Sequence, residues 1–63
     1  MGDRVRQMRM GAGMTQGQLA TAAGIGRITL VRLEKGEQSP RYETLVAIAR
    51  ALGRAVGEMV GAG

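Results

Sequence analysis

The fold is decided by residues 15–36, which read TQGQLATAAGIGRITLVRLEKG. Thr15 precedes Gln18 by three residues, the spacing of a capping box, in which each side chain satisfies one free amide at the start of a helix. Gly24 follows the apolar positions of this helix, and glycine readily adopts the positive φ that ends a helix. A second helix is then expected to run until Gly36. The stretch therefore predicts two helices joined by a tight turn.

The second of these helices has two different faces. At about 100° per residue, Leu30 and Leu33 share one face, which we expect to pack in a core. The opposite face mixes apolar and basic side chains, with one more cation beside it at the exposed N-terminal end: Ile28, Val31, Arg32, Lys35 and Arg27. A face that only contacts water rarely carries two β-branched apolar residues. This face is therefore expected to be a binding surface.

Apolar residues at helical spacing predict three further helices. The first is expected to begin at Asp3, as its N-cap, and to bury Val5. The fourth shows the cleanest amphipathic pattern and ends at Gly53, and the fifth is short. The predicted helices cover about residues 3–11, 16–23, 27–35, 42–52 and 55–60 of a single domain, 1–63, in which the tail 61–63 is expected to be disordered.

The charge of the chain points to a polyanionic partner. The 63 residues carry a net charge of +4, and eight of the nine cations are arginine. Excess positive charge on a small domain favours polyanions, and the arginine fork binds phosphates and guanine edges. The alternative is an arginine-rich surface that merely reflects a GC-rich genome.

The residue types that the chain lacks exclude several functions. It contains no cysteine and no histidine, so a thiolate metal site and the commonest general base are both missing. One tyrosine is the only aromatic residue, which disfavours stacking on single-stranded nucleic acid. No apolar run is long enough to span a membrane, and no signal peptide opens the chain. We therefore expect a cytoplasmic protein that is not an enzyme and has no metal, cofactor, small-molecule ligand or membrane partner.

Taken together, these elements resemble the lambda-repressor/Cro-type (XRE) helix-turn-helix family over about residues 4–60. The matching positions are Thr15-Gln16, Leu19-Ala20, Gly24-Ile25, Leu30, Leu33-Glu34, Gly36, Pro40, Thr44-Leu45, Ile48-Ala49 and Ala51-Leu52-Gly53. No single match is specific, whereas their joint spacing is. The resemblance implies a compact all-α bundle of five short helices that binds double-stranded DNA sequence-specifically as a small transcriptional regulator, for example a repressor.

The resemblance also implies roles for individual residues. In this motif the second helix lies in the major groove, so the implied base contacts are Arg27, Ile28, Val31 and Arg32. The implied DNA backbone contacts are Gln16, Gly17, Lys35 and Arg41. Arg9 and Glu34 are implied to form a structural ion pair. The aliphatic Ile28 and Val31 depart from the polar residues usual in the family at base-reading positions.

Two kinds of protein partner are expected. A second copy of the chain would bind together with DNA, whereas a different protein would take the place of DNA. A homodimer on a palindromic operator is expected, because a single helix-turn-helix covers too few base pairs to select a site. The expected dimer interface consists of Arg54, Val56, Met59 and Val60. The competing class is an interaction module, such as an antitoxin or coactivator subunit, whose Ile28/Val31 face would bind a toxin or a polymerase.

Overall fold

A computed structural model describes residues 2–60, apart from the side chain of Val60. This part of the chain contains five α-helices and no β-strand. The helices are α1 (Gly2–Gly11), α2 (Gln16–Ala23), α3 (Arg27–Glu34), α4 (Tyr42–Leu52) and α5 (Val56–Val60). None of them is both long and apolar enough to cross a membrane. The predicted disorder of residues 61–63 concerns positions outside the described residues.

Local signals at the ends of α2 act as expected from the sequence. The amide of Gln18 donates to Oγ1 of Thr15 at 3.1 Å, and the amide of Thr15 donates to Oε1 of Gln18 at 2.8 Å. Gly24 ends the helix with φ 70°. The predicted capping box and glycine stop are thus confirmed. The start of α1 differs from the prediction: the helix begins at Gly2, so Asp3 lies in its first turn and is not its N-cap.

The core forms where α2 packs against both α3 and α4. Its buried residues are all aliphatic: Val5, Leu19, Ala20, Leu30, Leu33, Leu45, Ile48, Ala49 and Met59. α1 packs against α3, and α5 packs against α4. Because α1 and α2 hold α3 from two sides, Leu30 and Leu33 are buried and the opposite face of α3 points outward.

The structure corrects the expected dimer interface at Met59. The structure places its side chain in the core of its own chain, where it is 2% exposed. The sequence pattern suggested that α5 has more apolar surface than so small a core can cover. In fact the long, flexible methionine side chain reaches into the core, which few other residue types do as easily. Met59 is therefore not available to a partner in this conformation.

α1 approaches the end of α3 unusually closely at Gly2. A Cβ atom at this position would lie 2.8 Å from the carbonyl oxygen of Glu34 and would also collide with that of Leu33. Only glycine leaves room for this contact. The N-terminal end of α1 thereby meets the C-terminal end of α3, where the partial charges of the two helix dipoles have opposite signs.

Candidate nucleic-acid interface

The outward face of α3 carries the side chains that the sequence predicted as base contacts. Arg27, Ile28 and Arg32 are exposed, and Ile28 leaves 68% of its surface in contact with water. Val31 is half-buried. An isoleucine this exposed contributes nothing to the core, so its apolar surface is available to a ligand.

A buried network of hydrogen bonds supports α3 from behind. Nε of Arg9 donates to Oε2 of Glu34 at 2.7 Å, and Nη2 of Arg9 donates to Oε1 at 3.1 Å. The Glu34 side chain is 3% exposed and the Arg9 side chain 11%. Nη1 of Arg9 also donates to the carbonyl oxygen of Met14 at 2.9 Å. One arginine thus joins α1 to the α1–α2 loop and to the end of α3.

Gln16 belongs to the same network. Its Nε2 atom donates to Oε1 of Glu34 at 3.2 Å. Because a carboxylate can only accept, this bond decides which end of the amide faces inward. An amide nitrogen carries two hydrogens, so one N–H of Gln16 stays available for another acceptor. The bond was not expected from the sequence, because the two residues are far apart along the chain.

Gln16 separates two open grooves on this side of the molecule. We call the first the α2 groove; it lies at the start of α2 and is lined by Arg9, Met14, Thr15, Gln16, Gly17 and Arg27. We call the second the α1–α3 groove, and its lining residues are Asp3, Arg6, Gln16, Val31, Glu34 and Lys35. Gln16 and Gly17 therefore lie beside Arg27, and Gln16 also shares a groove with Lys35. Arg6 also lines the α1–α3 groove, although the sequence did not indicate a role for it.

Arg41 lies apart from the two grooves that meet at Gln16. It is the N-cap of α4, and its side chain makes no capping hydrogen bond. It lines a third groove together with Thr29 of α3 and Thr44 of α4. The predicted backbone contacts thus surround α3 without forming a single cluster.

The remaining predicted site residues lie in α5 or just before it. Arg54 is exposed, and its Nη1 atom lies 3.7 Å from Oε2 of Glu58, four residues further along the chain. Val56 is half-buried against the core. The side chain of Val60 is outside the described residues. With Met59 buried, Arg54 and Val56 remain from the predicted dimer surface among the residues whose side chains the structure describes, and Val60 stays a prediction.

Comparison with known proteins identifies the family. A family model described as helix-turn-helix matches residues 5–59, which include all of α2, the turn and α3. The chain belongs to the lambda-repressor/Cro-type helix-turn-helix family. This confirms the family that the sequence resembled.

Relatives and a solved structure agree with this assignment. An uncharacterized HTH-type transcriptional regulator of Methanothermobacter thermautotrophicus is 46% identical over 50 residues, 79% of this chain and 72% of that protein. The transcriptional repressor RstR of cryptic phage CTXphi from Vibrio cholerae is 33% identical over 57 residues, 90% of this chain. Those residues span only 51% of the repressor.

The crystal structure of the restriction-modification controller protein C.AhdI from Aeromonas hydrophila matches with a TM-score of 0.91 at 28% identity. The match covers 92% of this chain and 88% of that one. The predicted all-α bundle with a helix-turn-helix is therefore confirmed.

Proposed function

We propose that this chain is a small transcriptional regulator that binds double-stranded DNA sequence-specifically, with α3 in the major groove. The observation that carries the proposal is the outward face of α3, where Arg27 and the 68%-exposed Ile28 project from a helix held between α1 and α2. Membership of the helix-turn-helix family and relatives named as a transcriptional regulator and a repressor support it.

Four residues of α3 read base edges in this proposal. Arg27, at the N-terminal end of the helix, forks onto O6 and N7 of a guanine. Ile28 and Val31 cannot donate hydrogen bonds, and they contact thymine methyl groups and exclude water. Arg32 lies one turn beyond Ile28 on the same exposed side and supplies the fourth contact.

The DNA backbone is held by groups around α3. Gln16 and Gly17 open α2, where free amides and the positive end of the helix dipole attract a phosphate. A Cβ atom on Gly17 would meet only Oγ1 of Thr15, at 3.9 Å, so its surface is open. Lys35 and Arg41 are exposed cations beside the two ends of the α3–α4 connection. These contacts position the protein without reading sequence.

The working unit is a homodimer on a palindromic operator. One helix-turn-helix reads a single half-site, and a two-fold dimer places two such helices about 34 Å apart along the duplex. Arg54 and Val56 lie in the dimer interface. Repulsion between arginines across a two-fold axis is offset within each chain, because Glu58 lies 3.7 Å from Arg54.

A protein partner is the second candidate function. The exposed Ile28 favours it, because an apolar side chain on a binding face also suits a protein interface. In that case the chain is an antitoxin or coactivator subunit, and a toxin or a polymerase covers α3. Affinity for random duplex DNA then stays weak, and its log-linear loss with salt has a shallow slope, because few phosphates are contacted.

Arg27→Ala tests the reading face. A duplex selected from a random library provides the site, and Arg4→Ala provides the control, because Arg4 is an exposed arginine of α1. We expect Arg27→Ala to lose about 1–3 kcal/mol of binding free energy and to relax the preference at one base pair per half-site. Arg4→Ala should bind like the parent. Unchanged affinity and preference in Arg27→Ala would refute the base-reading role.

Sedimentation equilibrium tests the dimer, with and without a palindromic duplex. The parent should bind the duplex as two chains, and Val56→Asp should bind it one chain at a time. A thermal melt of Val56→Asp shows whether the half-buried site tolerates the change. A parent that binds its palindrome as single, independent chains would refute the dimer.

A further inference from the structure

We propose that the α1–α3 groove binds a phosphate of the DNA backbone, which makes Arg6 of α1 a DNA-contacting residue. The inference rests on the proposed function, because it adds a backbone contact to the same complex. Three groups in the groove suit a phosphate: the guanidinium of Arg6, the ammonium of Lys35 and the amide of Gln16. The first helix is therefore part of the binding surface as well as a support for α3.

The close contact at Gly2 explains why Arg6 lies there. Arg6 lies four positions after Gly2, which at about 100° per residue places the two within about 40° of each other on α1, one turn apart. The face of α1 that touches the carbonyl oxygen of Glu34 therefore also carries Arg6. Arg4 lies about 200° from Arg6 on the same helix, on the side away from α3.

The charges that face the groove leave it attractive to an anion. Glu34 is one of its lining residues, but Arg9 pairs with this carboxylate, whose side chain is only 3% exposed. Asp3 is the opposing charge, an exposed carboxylate in the first turn of α1. Arg6 and Lys35 are both exposed, so two accessible cations face one accessible anion.

Gln16 adds a neutral donor whose direction is already set. Its hydrogen bond to Oε1 of Glu34, at 3.2 Å, holds the amide with its nitrogen inward. The second N–H of this nitrogen loses less rotational freedom when it meets a phosphate oxygen, because the first bond already orients the group. Pre-orientation lowers the entropy cost of binding.

The α1–α3 groove adjoins the α2 groove, because Gln16 lines both. The start of α2, in the α2 groove, is the proposed site of one backbone phosphate. Of these two grooves, Arg6 and Lys35 line only the α1–α3 groove. The α1–α3 groove therefore suits a further phosphate of the same sugar-phosphate backbone.

The test compares the parent with Arg6→Gln, Arg4→Gln and Asp3→Asn on a selected duplex and on a random duplex. Dissociation constants are measured over a series of salt concentrations. We expect Arg6→Gln to weaken binding to both duplexes by a similar factor, roughly fivefold to tenfold at low salt, and to reduce the salt slope by about one. Asp3→Asn should tighten binding to both duplexes, and Arg4→Gln should match the parent.

Two results would overturn the inference. In the first, Arg6→Gln keeps the parent's affinity and salt slope while Arg27→Ala loses discrimination; the groove then binds no phosphate and the proposed function stands. In the second, Arg6→Gln lowers the melting temperature without changing the salt slope, which assigns Arg6 a structural role. If Arg27→Ala also has no effect on DNA binding, the proposed function itself fails.

Discussion

Replacing Glu34 with alanine should remove a large part of the stability of this domain. The carboxylate accepts three hydrogen bonds: two from Arg9, at 2.7 and 3.1 Å, and one from Gln16, at 3.2 Å. Glu34 is the one charged residue among those buried in the described part of the chain, where it is 6% exposed. In Glu34→Ala, the guanidinium of Arg9 stays charged and largely buried, and its remaining partner in the network is the carbonyl oxygen of Met14.

The expected loss of stability is large relative to the total free energy of unfolding. Removing one member of a buried ion pair costs about 3–5 kcal/mol, because the other charge is left without a partner. At about 0.05–0.15 kcal/mol per residue, a domain of 63 residues has a free energy of unfolding of about 3–9 kcal/mol. The substitution therefore removes between roughly a third and all of the stability.

Urea denaturation followed by circular dichroism at 222 nm measures this loss. The double variant Arg9→Met/Glu34→Leu is the matched control, because replacing both partners by apolar residues is often neutral. We expect the double variant to be more stable than Glu34→Ala alone. A parent-like urea midpoint for Glu34→Ala would refute the reasoning, since it would mean that Arg9 is satisfied by water or by Met14 alone.

Further predictions concern packing at two glycines and one methionine. Gly2→Ala should destabilise by about 1–3 kcal/mol, because its Cβ atom would collide with backbone carbonyl oxygens at the end of α3. Gly17→Ala should instead stabilise the domain by up to about 1 kcal/mol, since the added Cβ atom meets only a side-chain atom, at 3.9 Å. A loss of DNA affinity in this variant would support the proposed phosphate contact. Met59→Ala should destabilise by about 2–5 kcal/mol, whereas Met10→Ala, at a site 58% exposed, should change stability by less than about 0.5 kcal/mol. Thermal melts of the parent and the four variants check all three statements. Equal melting temperatures of Met59→Ala and Met10→Ala would contradict the burial of Met59.

Signals that act within one or two helical turns were legible in the sequence. The capping box joins Thr15 and Gln18, and glycine ends both α2 and α4 with positive φ, 70° at Gly24 and 69° at Gly53. The amphipathic pattern of α4 predicted its buried face, because helical geometry places residues three and four apart on one side. Each of these depends only on neighbours along the chain.

The candidate site was less complete in the sequence. The outward face of α3 was predicted from the two different faces of its sequence pattern, and a family resemblance supplied the expected partner of Arg9. Arg6 carried no signal of its own, because an arginine on an exposed helix face is ordinary. Its importance in our proposal comes from Lys35, just beyond the end of α3, with which it shares a groove.

By itself, the sequence determined which segments are helical, where α2 and α4 begin and end, and which side of α3 faces the core, because backbone geometry and helical periodicity act locally. Only the tertiary structure decided that Gly2 lies against the end of α3 and that Gln16 donates to Glu34. It also decided that Met59 belongs to the core. These contacts join residues from different helices, and they depend on how closely and at what angle the helices pack. That packing is set by the fit of all the core side chains together, which no single local pattern contains.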